Sequence, residues 1–183
     1  MSLETILAQK GTKIVNRWLA LILETYPADA QRFLKKQKDH FANPVGTTLN
    51  NELEHIYKEL LQGVAPERLS LFLDRIIRIR AVQDFTPSQA ISFIFRLKNI
   101  IREEAGKEIR EQELLNDFML FESRLDEAAL LAFDIYMKCK EKIYEIKANE
   151  SKNQVSRLLL KAGLTCEIPS WNREPKEDNS APS

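Results

Sequence analysis

The sequence predicts an all-α fold: a single helical bundle with a buried central helix and a long C-terminal helix. Three observations carry that expectation. Apolar residues recur at three- and four-residue intervals through most of the chain. Alternating segments are few, and with five Gly and seven Pro in 183 residues a sheet is hard to place. One stretch, Thr86 to Gly106, carries the signals of both a helix start and a helix stop.

Ser2 can cap a first helix running to about Thr25, with Leu3, Ile6, Leu7, Ile14, Val15, Trp18, Leu19 and Ile22 on its apolar side. Gly11, ~1 kcal/mol less favourable than Ala inside a helix, marks where it would break, and Tyr26-Pro27 stops it. A short segment from Asp29 to about Lys38 offers Phe33 and Leu34, then the basic residues Lys35, Lys36 and Lys38. FANPVG at 41–46 reads as a turn. Thr47 or Thr48 then caps a helix to about Gln62, which Gly63 ends. Pro66 opens the next, reaching about Val82 and carrying Leu69, Phe72, Leu73, Ile76, Ile77 and Ile79.

The central helix follows. Thr86 caps it, Pro87 suits its first position, and Gln89 closes a capping box. Gly106 is expected to end it in the left-handed conformation. Ala90, Ile94, Leu97 and Ile101 form one stripe, widened by Ile91, Phe93, Phe95 and Ile100, so that only Ser92, Arg96, Asn99 and Glu103 keep a polar strip. A helix apolar over most of its circumference is surrounded by neighbours.

The last long helix is expected from about Ile109 to about Ala148. Leu114, Phe118, Phe121, Leu125, Ala128, Ala132, Ile135 and Cys139 repeat as a heptad seam. The seam packs either along its own bundle or against a second subunit. Small Ala128 and Ala132 would allow close helix approach. Ser151 and Gln154 suggest a separate capping box for a short helix reaching Gly163. The expected organisation is a helical sensory or interaction domain over 1–163 and a disordered polar tail over 164–183, which beyond Glu167 has little to bury except Trp171, a residue that could dock on the domain or on a partner.

Composition narrows the chemistry. Lys+Arg and Asp+Glu are both 27, so no basic excess points to nucleic acid. No apolar run is long enough to span a membrane, and the N-terminus lacks the form of a secretory signal, so the chain reads as cytoplasmic with reduced cysteines. Neither a nucleophile–base set nor a Gly-rich phosphate loop is present, so no enzyme activity is expected. Glu52 and His55 form one E-x-x-H, but a di-iron bundle needs that spacing twice with two further Glu. Either His could ligate haem. Neither a metal nor a cofactor is expected. Arg75, Arg78 and Arg80 admit three readings: ion pairing at a helix–helix joint, contact with an anionic or carboxylate ligand beside the central helix, or contact with nucleic acid.

Three stretches taken together, FANPVG at 41–46, RIIRIRAVQDFTPSQAISFIF at 75–95 and AFDIYMKCKEKIYEIKANE at 132–150, resemble the N-terminal domain family named for the RsbRD co-antagonist of the RsbT kinase. The resemblance covers about residues 5 to 160, and its most specific part is the run at 80–89. It implies an all-helical input domain, dimeric and globin-like without haem, whose last helix leads in relatives to a STAS output domain. Here a short polar tail stands where that domain would begin. The resemblance therefore implies a stand-alone bacterial regulatory module: a homodimer with a separate signalling protein partner and a small-molecule signal. The alternatives are a non-catalytic adaptor or assembly factor, and a haem or metal protein using His55.

Overall fold

Thr86 opens the central helix as its neighbours dictate. Its Oγ1 accepts from the Gln89 amide, and the Gln89 side chain accepts from the Thr86 amide at 3.0 Å, closing the capping box. In this computed structural model, which describes residues 1–36, 43–63, 66–83 and 85–164, the described residues form seven α-helices and no strand. They are α1 (Leu3–Gln9), α2 (Gly11–Leu23), α3 (Ala28–Lys36), α4 (Pro44–Gln62), α5 (Pro66–Val82), α6 (Pro87–Glu111) and α7 (Leu115–Lys161). The all-α class is therefore established.

Several boundaries fall where local chemistry puts them. Ser2 caps α1, the chain breaks at Lys10 beside Gly11, and Gly63 ends α4 at φ 65°. Others do not. Gly106 lies inside α6 and does not adopt a positive φ. Ala105 and Ile109 continue the buried stripe across it, and burying Ile109 outweighs the modest cost of one helical glycine. The stop falls instead at Gln112–Leu114, where Glu113 takes φ 55° and Leu114 N–H donates to Ile109 O. The α4 cap is Asn43, not Thr47 or Thr48. Asn43 Oδ1 accepts from Gly46 N–H at 2.9 Å, and its amide donates to Leu34 O at 2.9 Å, so one side chain starts α4 and holds α3. Ser151 caps nothing: it lies within α7, which runs unbroken to Lys161.

The core collects around α6. Ala90, Phe93, Ile94, Leu97, Ile100, Ile101, Ala105 and Ile109 are all buried, with Trp18 and Ile22 of α2, Leu53 of α4 and Leu73 and Ile77 of α5 in the same cluster. Three buried side chains from three helices donate to carbonyls at or near the start of α6. Trp18 Nε1 reaches Phe93 O at 2.7 Å, Arg80 Nη2 reaches Gln89 O at 2.9 Å, and Tyr136 Oη donates to Phe85 O. The other end of α6 is tied to α2 by charge. Lys13 and Arg17 pair with Glu104 at 2.6 and 2.5 Å, Arg17 also with Glu103, and Lys10 with Glu108 at 2.5 Å.

The chain divides into two compact units, Met1–Ile143 and Tyr144–Ser183, with the boundary inside α7. In the second unit the described residues are helical to Lys161, Gly163 follows at φ 70°, and Tyr144, Ile146, Val155, Leu158 and Leu160 are exposed. The predicted tail, apart from Leu164, lies outside the described residues, as do Trp171, Phe41 and Ala42.

Gly106→Ala is expected to stabilise the fold by ~0.5–1 kcal/mol, since a methyl there meets only the far end of Arg110 at 3.8 Å. Gly63→Ala, at positive φ, is expected to destabilise by ~1 kcal/mol or more. Urea denaturation of both variants checks the pair.

Glu104 and Glu108 are held below the ordinary carboxyl value of 4.5, Glu104 chiefly by the hydrogen bond from Lys13 and then that from Arg17, Glu108 chiefly by Lys10. A depressed carboxyl contributes stability that is complete above its unfolded value and fades as pH falls through the folded one. The melting temperature is expected to drop on acidification below about pH 4.5. Glu104→Gln is expected to flatten that slope in thermal melts followed by circular dichroism.

Candidate functional site

α7 divides its apolar residues between two sides. Phe118, Phe121, Leu125, Ala128, Ala132 and Ile135 are buried, and Leu114 and Cys139 pack partly buried against the same core. All eight seam positions thus face the interior of their own chain. Polar contacts fix this orientation within the first unit. Lys98 pairs with Asp126 and Arg102 with Glu122, both at 2.7 Å, so α6 and α7 run antiparallel along this seam. Arg124 Nη1 donates to Leu60 O at 3.3 Å, holding the end of α4.

With the seam turned inward, other apolar residues are left outside. Met119 is 64% exposed, Leu130 68%, Phe133 40% and Met137 38%. Their steps of 11, 3 and 4 residues return to one face of an α-helix. The register of the two interhelical ion pairs puts Phe95 of α6, also exposed, level with Leu130. Clustered exposed apolar side chains of this kind mark protein-contact surfaces more often than isolated ones do. The strictest heptad in α7 does not include this stripe. The signal was present: adjacent apolar pairs such as Leu130-Leu131 and Ala132-Phe133 cannot all point one way.

The three arginines do not converge. Arg75 Nη1 donates to the buried carboxylate of Glu52 at 2.7 Å. Arg78 Nε donates to Asp74 at 2.6 Å, beside a cleft of about 300 Å³ that Lys138 and Cys139 also line. Arg80 lies on another face of α5 and is fully buried. Its two terminal nitrogens both reach Thr25 Oγ1 at 3.2 Å, and its guanidinium lies 4.1 Å from the centre of the Phe85 ring. Burial pulls the Arg80 pKa below its ordinary value. The Cys139 thiol is pushed up, first by burial and then by Asp74, which disfavours the reactive thiolate.

Glu52 and His55 sit one turn apart on α4, with His55 Nδ1 3.9 Å from Glu52 Oε2. Glu52 already serves Arg75, and the His55 ring stacks on Phe72 at 4.8 Å. Among the described residues no cluster of three or more His, Cys, Asp or Glu gathers to hold a metal ion. No helix among them is long and apolar enough to cross a membrane.

The family model of the RsbT co-antagonist protein rsbRD N-terminal domain matches residues 12–151, more than half of the chain. The chain belongs to this family. The match spans α2 to α6 and most of α7, and contains all three stretches that carry the sequence resemblance. No curated protein and no solved structure matches the chain.

Charge introduced at the inner seam, as Leu125→Glu or Ala128→Glu, is expected to cost on the order of 3–5 kcal/mol, because it strands an unpaired carboxylate in the core. The check is loss of the cooperative thermal transition, read before any change in subunit count is interpreted.

Proposed function

We propose that this RsbRD N-terminal domain is a non-catalytic bacterial input module that acts in the cytoplasm through self-association and contact with a separate signalling protein. The observation that carries this reading is the outer stripe of α7. A chain with balanced charge leaves Met119, Leu130, Phe133 and Met137 exposed on one helix face, beside Phe95 of α6. Burying such a face supplies the main driving force for association. A second copy suits it well: a two-fold axis brings the same patch onto itself, so one apolar stripe serves both partners.

Membership of a stressosome-type sensory family supports the input role. The inner seam supports a mechanism. α7 buries its inner seam in the core, while the exposed stripe runs beside α6 on the side where Asp126 and Glu122 pair with it, so a change in inner packing tilts or rotates the stripe. A small-molecule signal or a partner would act by binding one such arrangement more tightly than the other.

Leu130→Glu and Phe133→Glu test this directly, since both positions are exposed and the substitutions leave the core intact. Size-exclusion chromatography with light scattering is expected to give a dimer for the native chain and at least tenfold weaker association for each variant. Native and variant chains of identical mass at every concentration would contradict the proposal. Unchanged circular dichroism establishes that the variants are folded.

A further inference from the structure

A cleft of about 670 Å³ opens between the end of α4, the start of α5 and the N-terminal part of α7. Its apolar wall is made by Leu60, Leu69, Leu120 and Leu131, and its polar groups include Glu59 and Arg124. Glu59 is 6% exposed. Its Oε1 is ion-paired with Arg68 Nη2 at 2.8 Å, but its Oε2 is buried and has no hydrogen-bond partner among the described residues. A buried carboxylate oxygen without a donor is costly, and a group that supplies the donor recovers that cost.

The charge around this oxygen is mixed, with Glu127 and the end of α4 set against Arg68 and Arg124, and what Oε2 itself lacks is a donor. Glu127 also lines the cleft. The C-terminal end of α4 adds the negative pole of a helix. Arg124 is turned to that pole, donating to Leu60 O at 3.3 Å. Its guanidinium lies over Gly63, where a Cβ would come within 3.3 Å of its central carbon, so the glycine leaves the arginine its place. Arg68 reaches only one oxygen of Glu59 and leaves the other as an acceptor.

We propose that this cleft binds a small amphipathic amine, with its ammonium donating to Glu59 Oε2 and its apolar body against the four leucines. This inference rests on the input-module reading and gives its signal a chemical class. The site joins three helices, and one of them is α7. An occupant that prefers one packing of Leu120 and Leu131 against α4 and α5 therefore biases the helix that carries the outer contact stripe.

Methyl-resolved NMR of the full chain tests it, with n-hexylamine as probe and n-hexanol as its uncharged match. Hexylamine is expected to give saturable shifts at the Leu60, Leu69, Leu120 and Leu131 methyls. Hexanol is expected to bind at least tenfold more weakly, and Glu59→Gln to reduce hexylamine affinity at least tenfold. Leu131→Trp, which fills the cleft and leaves Glu59 and Arg68 in place, is expected to abolish the shifts. Absence of saturable shifts, equal affinity for hexanol, or undiminished binding in Leu131→Trp overturns the proposal. Light scattering on the same samples separates the two readings. A dimer that persists without amine binding removes the cleft alone, whereas amine binding by a chain monomeric at every concentration removes the self-association reading alone.

Discussion

Everything in the first unit depends on how α6 is held. Trp18, Arg80 and Tyr136 come from three different helices, and each of these buried side chains donates a hydrogen bond to a backbone carbonyl between Phe85 and Phe93. Those carbonyls lie at the start of α6, so α2, α5 and α7 are each positioned against the same short stretch of main chain. Arg80 is the demanding member. A buried guanidinium is stable only where its desolvation is offset. Here Gln89 O, Thr25 Oγ1 and the Phe85 ring do that, and Thr25 is itself fixed by donating to Ile22 O at 2.6 Å. The cation therefore locks the end of α2 to the start of α6 with more directionality than apolar packing has.

The consequences reach α7. Tyr136 sets its rotation at one point, and the pairs Asp126–Lys98 and Glu122–Arg102 set it at two more. With rotation fixed, the heptad stripe is committed to the core and the opposite stripe to the outside. One helix thereby serves two purposes, closing the bundle on one side and offering an apolar contact face on the other. The ion pairs from Lys10, Lys13 and Arg17 hold the far end of α6 with interactions that solvent and pH can reach. The tighter constraint lies at the buried end.

Much of this was legible in the sequence wherever the determinant was local. The Thr86–Gln89 box, the stop at Gly63, the start at Pro66 and the break beside Gly11 each need only a few adjacent residues, and each holds. Gly106 and Ser151 misled because glycine and serine are permissive rather than decisive: the burial of Ile109 carried α6 onward, and α7 continued straight through a residue that can also cap. Asn43 was hidden inside what reads as a turn, yet asparagine before proline is also a good helix start. The arginines at 75, 78 and 80 look alike in sequence. Only the rotation of α5 makes two of them exposed partners of Glu52 and Asp74 and the third a buried brace. The Glu59 cleft depends on three helices meeting, and no spacing within one of them announces it.

The chain carries its own reporters for the central claim. Of its three methionines, Met119 and Met137 lie on the outer stripe and Met1 stands exposed at the N-terminus. Methionine oxidation, quantified site by site by mass spectrometry across a range of protein concentrations, reads that stripe without any substitution. The account predicts that Met119 and Met137 become protected relative to Met1 as concentration rises. Three methionines oxidising in constant proportion from dilute to concentrated protein would contradict it.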